Sequence, residues 1–225
     1  MLLLALDTSG ATVTAALHDG TSVIAERAVT NARRHAELLA PAIAAVLDDA
    51  GRDRTEITDI VVGVGPGPFT GLRVGVVTAR VLGAALGVPV HGVCSLDGIA
   101  EDVSGTGDFL VATDARRREV YWAAYHRDAD GAPPERRDGP HVSRPAEVPV
   151  AGRPVTGRGA TLYPDDLGPA GEPFDVRAGA LAALAARSLA GSGTAPTPVT
   201  LCSSEPMYLR RPDATPPGAR KRVLT

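Results

Sequence analysis

Aromatic side chains are scarce in this 225-residue chain, amounting to 4% of it. A core must therefore be assembled from alanine, valine and leucine, and 44% hydrophobic content is enough for that. The length allows one large domain or two small ones. The two cysteines, Cys94 and Cys202, fit no metal or redox spacing. His18, His35, His91, His126 and His141 include no pair three or four apart, so no helix offers a histidine pair to a metal. There is no Gly-x-Ser-x-Gly elbow and no cysteine–histidine arrangement for nucleophilic catalysis. A net charge of −3 gives no overall pull toward nucleic acid. No apolar run reaches the ~20 residues that cross a bilayer, and MLLLALDTSG lacks the basic flank of a signal peptide. The expectation is a soluble, cytoplasmic protein with no membrane partner.

What the chain has in quantity is glycine, and it is placed with a period. In VVGVGPGPFTGLRVGVVTARVLGAALG, residues 61–87, a buried strand runs into a Gly/Pro turn and an apolar helix from Phe69 to Leu86. Gly71, Gly75, Ala79, Gly83 and Gly87 recur every fourth residue and draw a ridge of tiny side chains along it. An interior helical glycine costs about 0.5–1 kcal/mol relative to alanine. The ridge therefore predicts a close backbone approach, either by the chain's own sheet or by a second protein.

Around this unit the hydrophobic pattern alternates between strand and helix. Leu2–Leu6, Thr12–Leu17 and Ser22–Val29 read as a three-stranded meander with turns at Ser9-Gly10 and Asp19-Gly20. Arg34–Ala50 reads as a helix whose Leu39, Ile43, Val46, Leu47 and Ala50 share a face, with Pro41 kinking it and Gly51 ending it. His35 and Glu37 are expected to cap its start. Val88–Val93 is a further strand, and Ser95 is expected to cap a short helix through Ala100. Segment 128–150 reads as irregular, with at most one strand, and Ala178–Ala190 as a helix of good formers.

LLALDTSGATVTAA and LVATDARRREVYWAA share a plan: strand, aspartate, tight turn, strand. Asp7 and Asp114, Val13 and Val120, and Ala16 and Ala123 all keep one offset, which reads as an internal duplication. The expected division is 1–103 as an N-terminal lobe, 104–209 as a smaller C-terminal lobe and 210–225 as a flexible tail.

Chemistry is thin. Gly65-Pro66-Gly67-Pro68-Phe69-Thr70-Gly71 lacks the lysine of a phosphate loop, and its two prolines remove two amide donors. Amides at Gly67, Thr70 and Gly71 are left as an anion site, with Arg73 alongside. Asp7-Thr8-Ser9 and Asp114-Ala115-Arg116 would face each other across a cleft in a phosphotransferase; as plain structure they are aspartates capping turns. Arg116, Arg117 and Arg118 are either a solvated turn or a contact for RNA or nucleotide phosphate.

LLALDTSGATVTAAL, RRHAELLAPAIAAVL, ITDIVVGVGPGPFTGLRVGV, GVCSLDGIA, DARRREVYWAAY and PMYLR together resemble the TsaB (YeaZ) family of bacterial tRNA threonylcarbamoyladenosine (t6A) biosynthesis, from Met1 to about Arg211. The resemblance implies a two-lobed α/β fold of the actin-like, Hsp70-like and sugar-kinase-like ATPases (ASKHA). It implies a catalytically silent relative of TsaD, which transfers threonylcarbamoyl to N6 of adenosine 37 in tRNAs reading ANN codons. TsaD-type proteins carry His-x-x-x-His where this chain has Ser95 and Ile99, so the metal site is absent. Partners implied are TsaD as heterodimer, TsaE, a second copy in isolation, and tRNA indirectly. No cofactor is implied, ATP entering only at a complex interface. Pairing would use the first two helices, through His35, Leu38, Leu39, Ala42 and Val46 on one and Arg73, Val77 and Arg80 on the other. Asp7, Thr8, Ser9, Gly67, Thr70, Gly71, Asp114 and Arg116 would be vestigial nucleotide loops. The alternatives are an active small kinase or ATPase using Asp7 and Asp114, and a metallopeptidase, which the missing ligands argue against.

Overall fold

A computed structural model describes residues 1–31, 34–191 and 201–210. The first half is β1 (Leu3–Asp7), β2 (Thr12–His18), β3 (Val23–Thr30), α1 (His35–Ala50), β4 (Asp59–Gly63), α2 (Phe69–Leu86), β5 (Val90–Val93) and α3 (Ser95–Glu101). The second is β6 (Gly107–Asp114), β7 (Val120–Arg127), β8 (Glu135–Ser143), β9 (Val155–Thr156), α4 (Arg158–Leu162), α5 (Pro164–Leu167), β10 (Ala170–Gly171) and α6 (Ala178–Ala190). One sheet has the order β3-β2-β1-β4-β5 and the other β8-β7-β6-β9-β10, so each strand of the first has a counterpart in the second. The β1–β2 and β6–β7 hairpins are antiparallel, while β4 and β9 pair parallel to β1 and β6. The repeat around Asp7 and Asp114 is thus a repeat of topology as well as of sequence.

The burial pattern explains the layering. β1 and β2 are buried on both faces, so they read as apolar runs rather than alternating strands. On one face Leu4, Leu6 and Val62 pack with Leu39, Val46, Leu72 and Val76 of α1 and α2. On the other, Leu3, Ala5 and Val61 share a core with Ile99 of α3, Leu181 and Ala185 of α6, and Val111 and Tyr125 of the second sheet. Helices α3 and α6 therefore lie between the two sheets and join them. α4 and α5 cover the far face of the second sheet with Leu110, Ala112 and Trp122. The result is an α/β two-lobe fold of the ASKHA class.

The glycine ridge has a local cause. A Cβ at Gly71 would lie 2.8 Å from the Thr8 carbonyl oxygen, one at Gly75 2.6 Å from Thr8 Oγ1, and one at Gly83 2.3 Å from Val90. The close neighbour is the chain's own first sheet, not a second protein. Thr8 bridges the gap, donating its hydroxyl to the Gly71 carbonyl at 2.7 Å and accepting the Gly75 amide at 2.8 Å. By length and hydropathy alone α2 is apolar enough to cross a bilayer; its ridge is spent on this intramolecular packing.

Two caps differ from expectation. Neither His35 nor Glu37 caps α1: Arg34 holds the cap position without a side-chain bond, His35 Nε2 meets the Gly10 carbonyl at 2.9 Å, and Glu37 pairs with Arg34. Ser95 is the first residue of α3 rather than its cap, and its hydroxyl turns to Asp7. Cys94 is buried and Cys202 exposed, both free thiols. Residues 201–210 run back along the first lobe: Cys202 exchanges backbone hydrogen bonds with Gly92, and the Met207 amide donates to the Val64 carbonyl. Residues 211–225, read as tail, lie outside the described residues. Arg210 is held by the Ala115 carbonyl at 2.9 Å and by Glu119.

Asp97 on α3 supplies a pH test of the shared core. Burial pushes its carboxyl above the ordinary 3.8, against the opposing pull of Arg136 and of the Tyr125 hydroxyl that donates to it at 2.8 Å. The folded state then holds this proton more readily than the unfolded chain. Its contribution to stability falls as pH rises through the folded pKa and grows as pH is lowered toward 3.8. Asp97→Asn removes that contribution. Urea midpoints measured from pH 7 downward are expected to show wild type gaining on the variant as the pH falls; a constant difference would refute the assignment.

Candidate functional site

The turns after β1 and β6 lie at the junction between the lobes, beside a cavity of about 220 Å³. Ser9, Pro66 and Ser95 line it from the first lobe and Asp114, Arg116 and Arg158 from the second. Asp114 accepts the Arg116 amide at 2.7 Å and pairs with its guanidinium at 3.1 Å. Arg158 grips Asp175 through Nε and an Nη, both at 2.6 Å, and Thr12 Oγ1 donates to the same carboxylate at 2.9 Å. That triad ties α4 to the first lobe. Neither Arg158 nor Asp175 stands out in the sequence, since their partnership spans two lobes and neither sits in a motif.

Asp7 does not line the cavity. It is 1% exposed, and its carboxylate accepts the Ser9 amide and hydroxyl at 2.8 Å and the Ser95 hydroxyl at 2.7 Å. Ser95 in turn accepts the Gly65 amide at 3.0 Å. Burial raises the Asp7 pKa, and the Ser95 and Ser9 hydrogen bonds oppose the rise. Around it the Gly/Pro turn is packed against protein: a Cβ at Gly67 would sit 2.4 Å from the Ser9 carbonyl oxygen, and Gly71 lies over the Thr8 carbonyl. The backbone at Gly67 and Gly71 thus packs directly on the turn after β1, while Thr70 is exposed. Of the expected loop residues, the fold brings Ser9, Asp114 and Arg116 to the cavity and locks Asp7 and Thr8 into the sheet–helix junction. Among the described residues, no group of three or more His, Cys, Asp or Glu has the arrangement to hold a metal ion.

The residues named for docking divide sharply. Leu39, Ala42 and Val46 are buried in the first-lobe core at 1%, 5% and 0% exposure. They face the sheet because α1 has one apolar stripe and the sheet claims it. Leu38 is partly buried against the same core, and His35 is tethered to Gly10. Arg73, Val77 and Arg80 are exposed on α2, and so is Val81 next to them, which no sequence motif singles out. Val77 and Val81 are 55% and 61% exposed. Arg73 lies 3.8 Å over the Phe69 ring and donates to the Tyr208 hydroxyl at 2.8 Å, so the Pro206–Arg210 stretch closes over the start of α2. A Val46→Asp change, attractive for testing docking, would bury a charge without a partner. It is expected to unfold the first lobe, a loss of several kcal/mol read as a collapse of the urea midpoint.

The turn between β6 and β7 is unusual in its backbone. Arg116, Arg117 and Arg118 have φ of 62°, 52° and 61°, three consecutive left-handed residues without a glycine. Each costs about 1–2 kcal/mol against right-handed geometry. The Glu119 amide donates to the Arg116 carbonyl and the Ala115 amide to the Glu119 carbonyl, closing the turn.

The fold and junction define a class: a two-lobed ASKHA-type α/β protein whose first-lobe aspartate is hydrogen-bonded within the fold. A family profile described as TsaD, tRNA N6-adenosine threonylcarbamoyltransferase, matches residues 23–141. An uncharacterized protein of Mycobacterium leprae is 45% identical over 221 residues, covering 96% of this chain and 56% of the relative. TsaB of Escherichia coli K12, a tRNA threonylcarbamoyladenosine biosynthesis protein, is 35% identical over 134 residues, 58% of each chain. The solved structure of YeaZ from Pseudomonas aeruginosa superposes with a TM-score of 0.77 at 28% identity, covering 92% of this chain and 99% of its own. The chain spans just over half the length of these two sequence relatives and nearly all of the YeaZ structure. It belongs to the TsaB/YeaZ family, within the broader TsaD family.

Proposed function

We propose that this chain is a non-catalytic, activating subunit of t6A biosynthesis in the cytoplasm, docking TsaD for transfer of threonylcarbamoyl to N6 of adenosine 37. The observation that carries the proposal is the junction itself. Asp7 spends its carboxylate on Ser9 and Ser95, and Ser95 and Ile99, which the family resemblance aligns with the TsaD histidine pair, are both 1% exposed. Neither side chain offers an imidazole to a metal. The exposed valines of α2 supply what the junction lacks, a surface for another protein. TsaE and a second copy of this chain are proposed as further partners, with ATP entering only where subunits meet.

Co-elution with TsaD from the same organism tests the reading, and failure of the two proteins to associate at micromolar concentration would overturn it. Titration calorimetry of the lone chain with ATP and Mg²⁺ is expected to show no binding. Tight binding would favour a kinase or ATPase instead.

A further inference from the structure

The cavity between the lobes takes no part in the docking reading, and its described wall residues lean to one kind of chemistry. Leu96 and Ile99 of α3, with Val176, make a floor that is 1%, 1% and 6% exposed. Leu162 of α4 and Phe174 form the solvent-side lip, 52% and 36% exposed. Pro66 and Pro68 add ring carbons where a phosphate loop would add amides. The charged wall residues balance in pairs: Arg116 faces Asp114 at 3.1 Å, and Arg158 gives two hydrogens to Asp175. Ser9 and Ser95 also line the space, but both hydroxyl hydrogens go to Asp7, so what these hydroxyls have left to offer is oxygen lone pairs. Asp114 and Asp175 add carboxylate oxygens on the other side. At about 220 Å³ the chamber exceeds the roughly 150 Å³ that accommodates a benzene ring.

We infer that this cavity is a binding site for a small neutral aromatic molecule carrying an N–H donor, on the scale of a two-ring heterocycle. Ligand sites are typically apolar chambers in which a few polar groups fix orientation. The ring body is driven in by burial against Leu96, Ile99 and Val176. Its N–H then turns to an acceptor the wall already holds, and a carboxylate oxygen makes the stronger bond. A phosphate suits the site poorly. To grip one, Arg116 or Arg158 would have to leave its carboxylate, and the Asp114 and Asp175 side chains are only 26% and 20% exposed. A carboxylate left there without its partner is costly. Because Leu96 and Ile99 come from the first lobe and Leu162 from the second, an occupant touches both lobes at once.

The test titrates the full chain with indole and follows backbone amide shifts by NMR. Saturable shifts are expected at Gly10, Ile99 and Thr113, with a dissociation constant of about 1 mM or tighter. 1-Methylindole keeps the ring body and lacks the N–H, and should bind at least about tenfold more weakly. Inorganic pyrophosphate should leave those amides unmoved. Leu162→Trp places a ring of the protein's own at the lip, and Phe174→Ala removes part of it; each should weaken indole several-fold. Both positions are at the surface, and the 1-methylindole comparison needs no variant, so it decides the matter even if a variant misfolds. The inference is overturned if indole moves no amide of the cavity, if 1-methylindole binds as tightly as indole, if pyrophosphate shifts the cavity amides or displaces indole, or if both variants bind indole as wild type does. Because TsaD is absent from this assay, a failure here leaves the docking proposal standing, and failed co-elution with TsaD leaves the cavity site standing.

Discussion

A single methyl group added at Gly63 is expected to unfold the first lobe. Gly63 ends β4, and a Cβ there would lie 1.8 Å from Asp7 Oδ2 and 2.7 Å from Ser95 Oγ. Neither neighbour is the loose end of a flexible chain. Asp7 is pinned by Ser9 and Ser95, and Ser95 is pinned by Asp7 and the Gly65 amide. To admit the methyl, the carboxylate must move away from the donors it accepts. Overpacking costs about 1–3 kcal/mol, and each hydrogen bond to a charged group is worth about 1.5–3. Gly63→Ala should therefore lose roughly 4–6 kcal/mol, most of the stability of an ordinary domain. Urea unfolding followed by circular dichroism would read it.

The same geometry predicts a non-additive pair. Asp7→Ala alone strands the Ser9 and Ser95 donors and destabilises the fold. In that background the 1.8 Å clash with Asp7 is gone and only the Ser95 hydroxyl, released from its acceptor and free to turn, still lies near the Gly63 methyl, so adding Gly63→Ala should cost under about 2 kcal/mol more. Additive losses would mean that Asp7 and Gly63 do not press on one another. A wild-type midpoint for Gly63→Ala would remove the argument that Asp7 is committed to structure, and with it the main support for a silent junction.

How much of this is legible in the sequence depends on whether the information is local. The strand–turn–helix at 60–86 is written in its apolar run, its Gly/Pro turn and its periodic glycines. The duplication is written in the common offset of Asp7 and Asp114, and the two matching sheet orders bear it out. What periodicity withholds is the identity of the neighbour. A ridge of small residues says that something comes close; only the fold shows that Thr8 and Val90 do. An apolar stripe on α1 looks the same whether a sheet or a partner covers it, which is why Leu39, Ala42 and Val46 read as a docking face and turn out to be core. Arginine has no preference for positive φ, so nothing in Arg116–Arg118 announces a left-handed turn. α4, α5 and β10 are too short to carry a period, and the Arg158–Asp175 clamp joins residues with no common motif.

Correcting the docking face moves the decisive experiment onto α2. Val77 and Val81 are one turn apart on the exposed side of that helix, with Arg73 and Arg80 beside them, while the ridge of Gly71, Gly75 and Gly83 faces inward. Exposed apolar side chains four apart form a continuous stripe on a helix. Both valines are more than half exposed, so Val77→Asp with Val81→Asp should change folding stability by no more than about 1 kcal/mol in sum. A partner that buries both valines would have to desolvate two carboxylates. Hot-spot losses of about 2 kcal/mol or more per residue correspond to roughly a thousandfold weaker association for the pair. Co-elution with TsaD should then disappear, while the urea midpoint and circular dichroism spectrum stay those of wild type. Leu162→Asp, at a residue 52% exposed on α4 of the other lobe, serves as the control and should leave association untouched. If the doubly charged α2 still binds TsaD with wild-type affinity, the contact lies elsewhere and the exposed valines are ordinary surface. If Leu162→Asp is the variant that abolishes binding, the partner sits on the second lobe, and the cavity between the lobes rather than α2 becomes the surface to map.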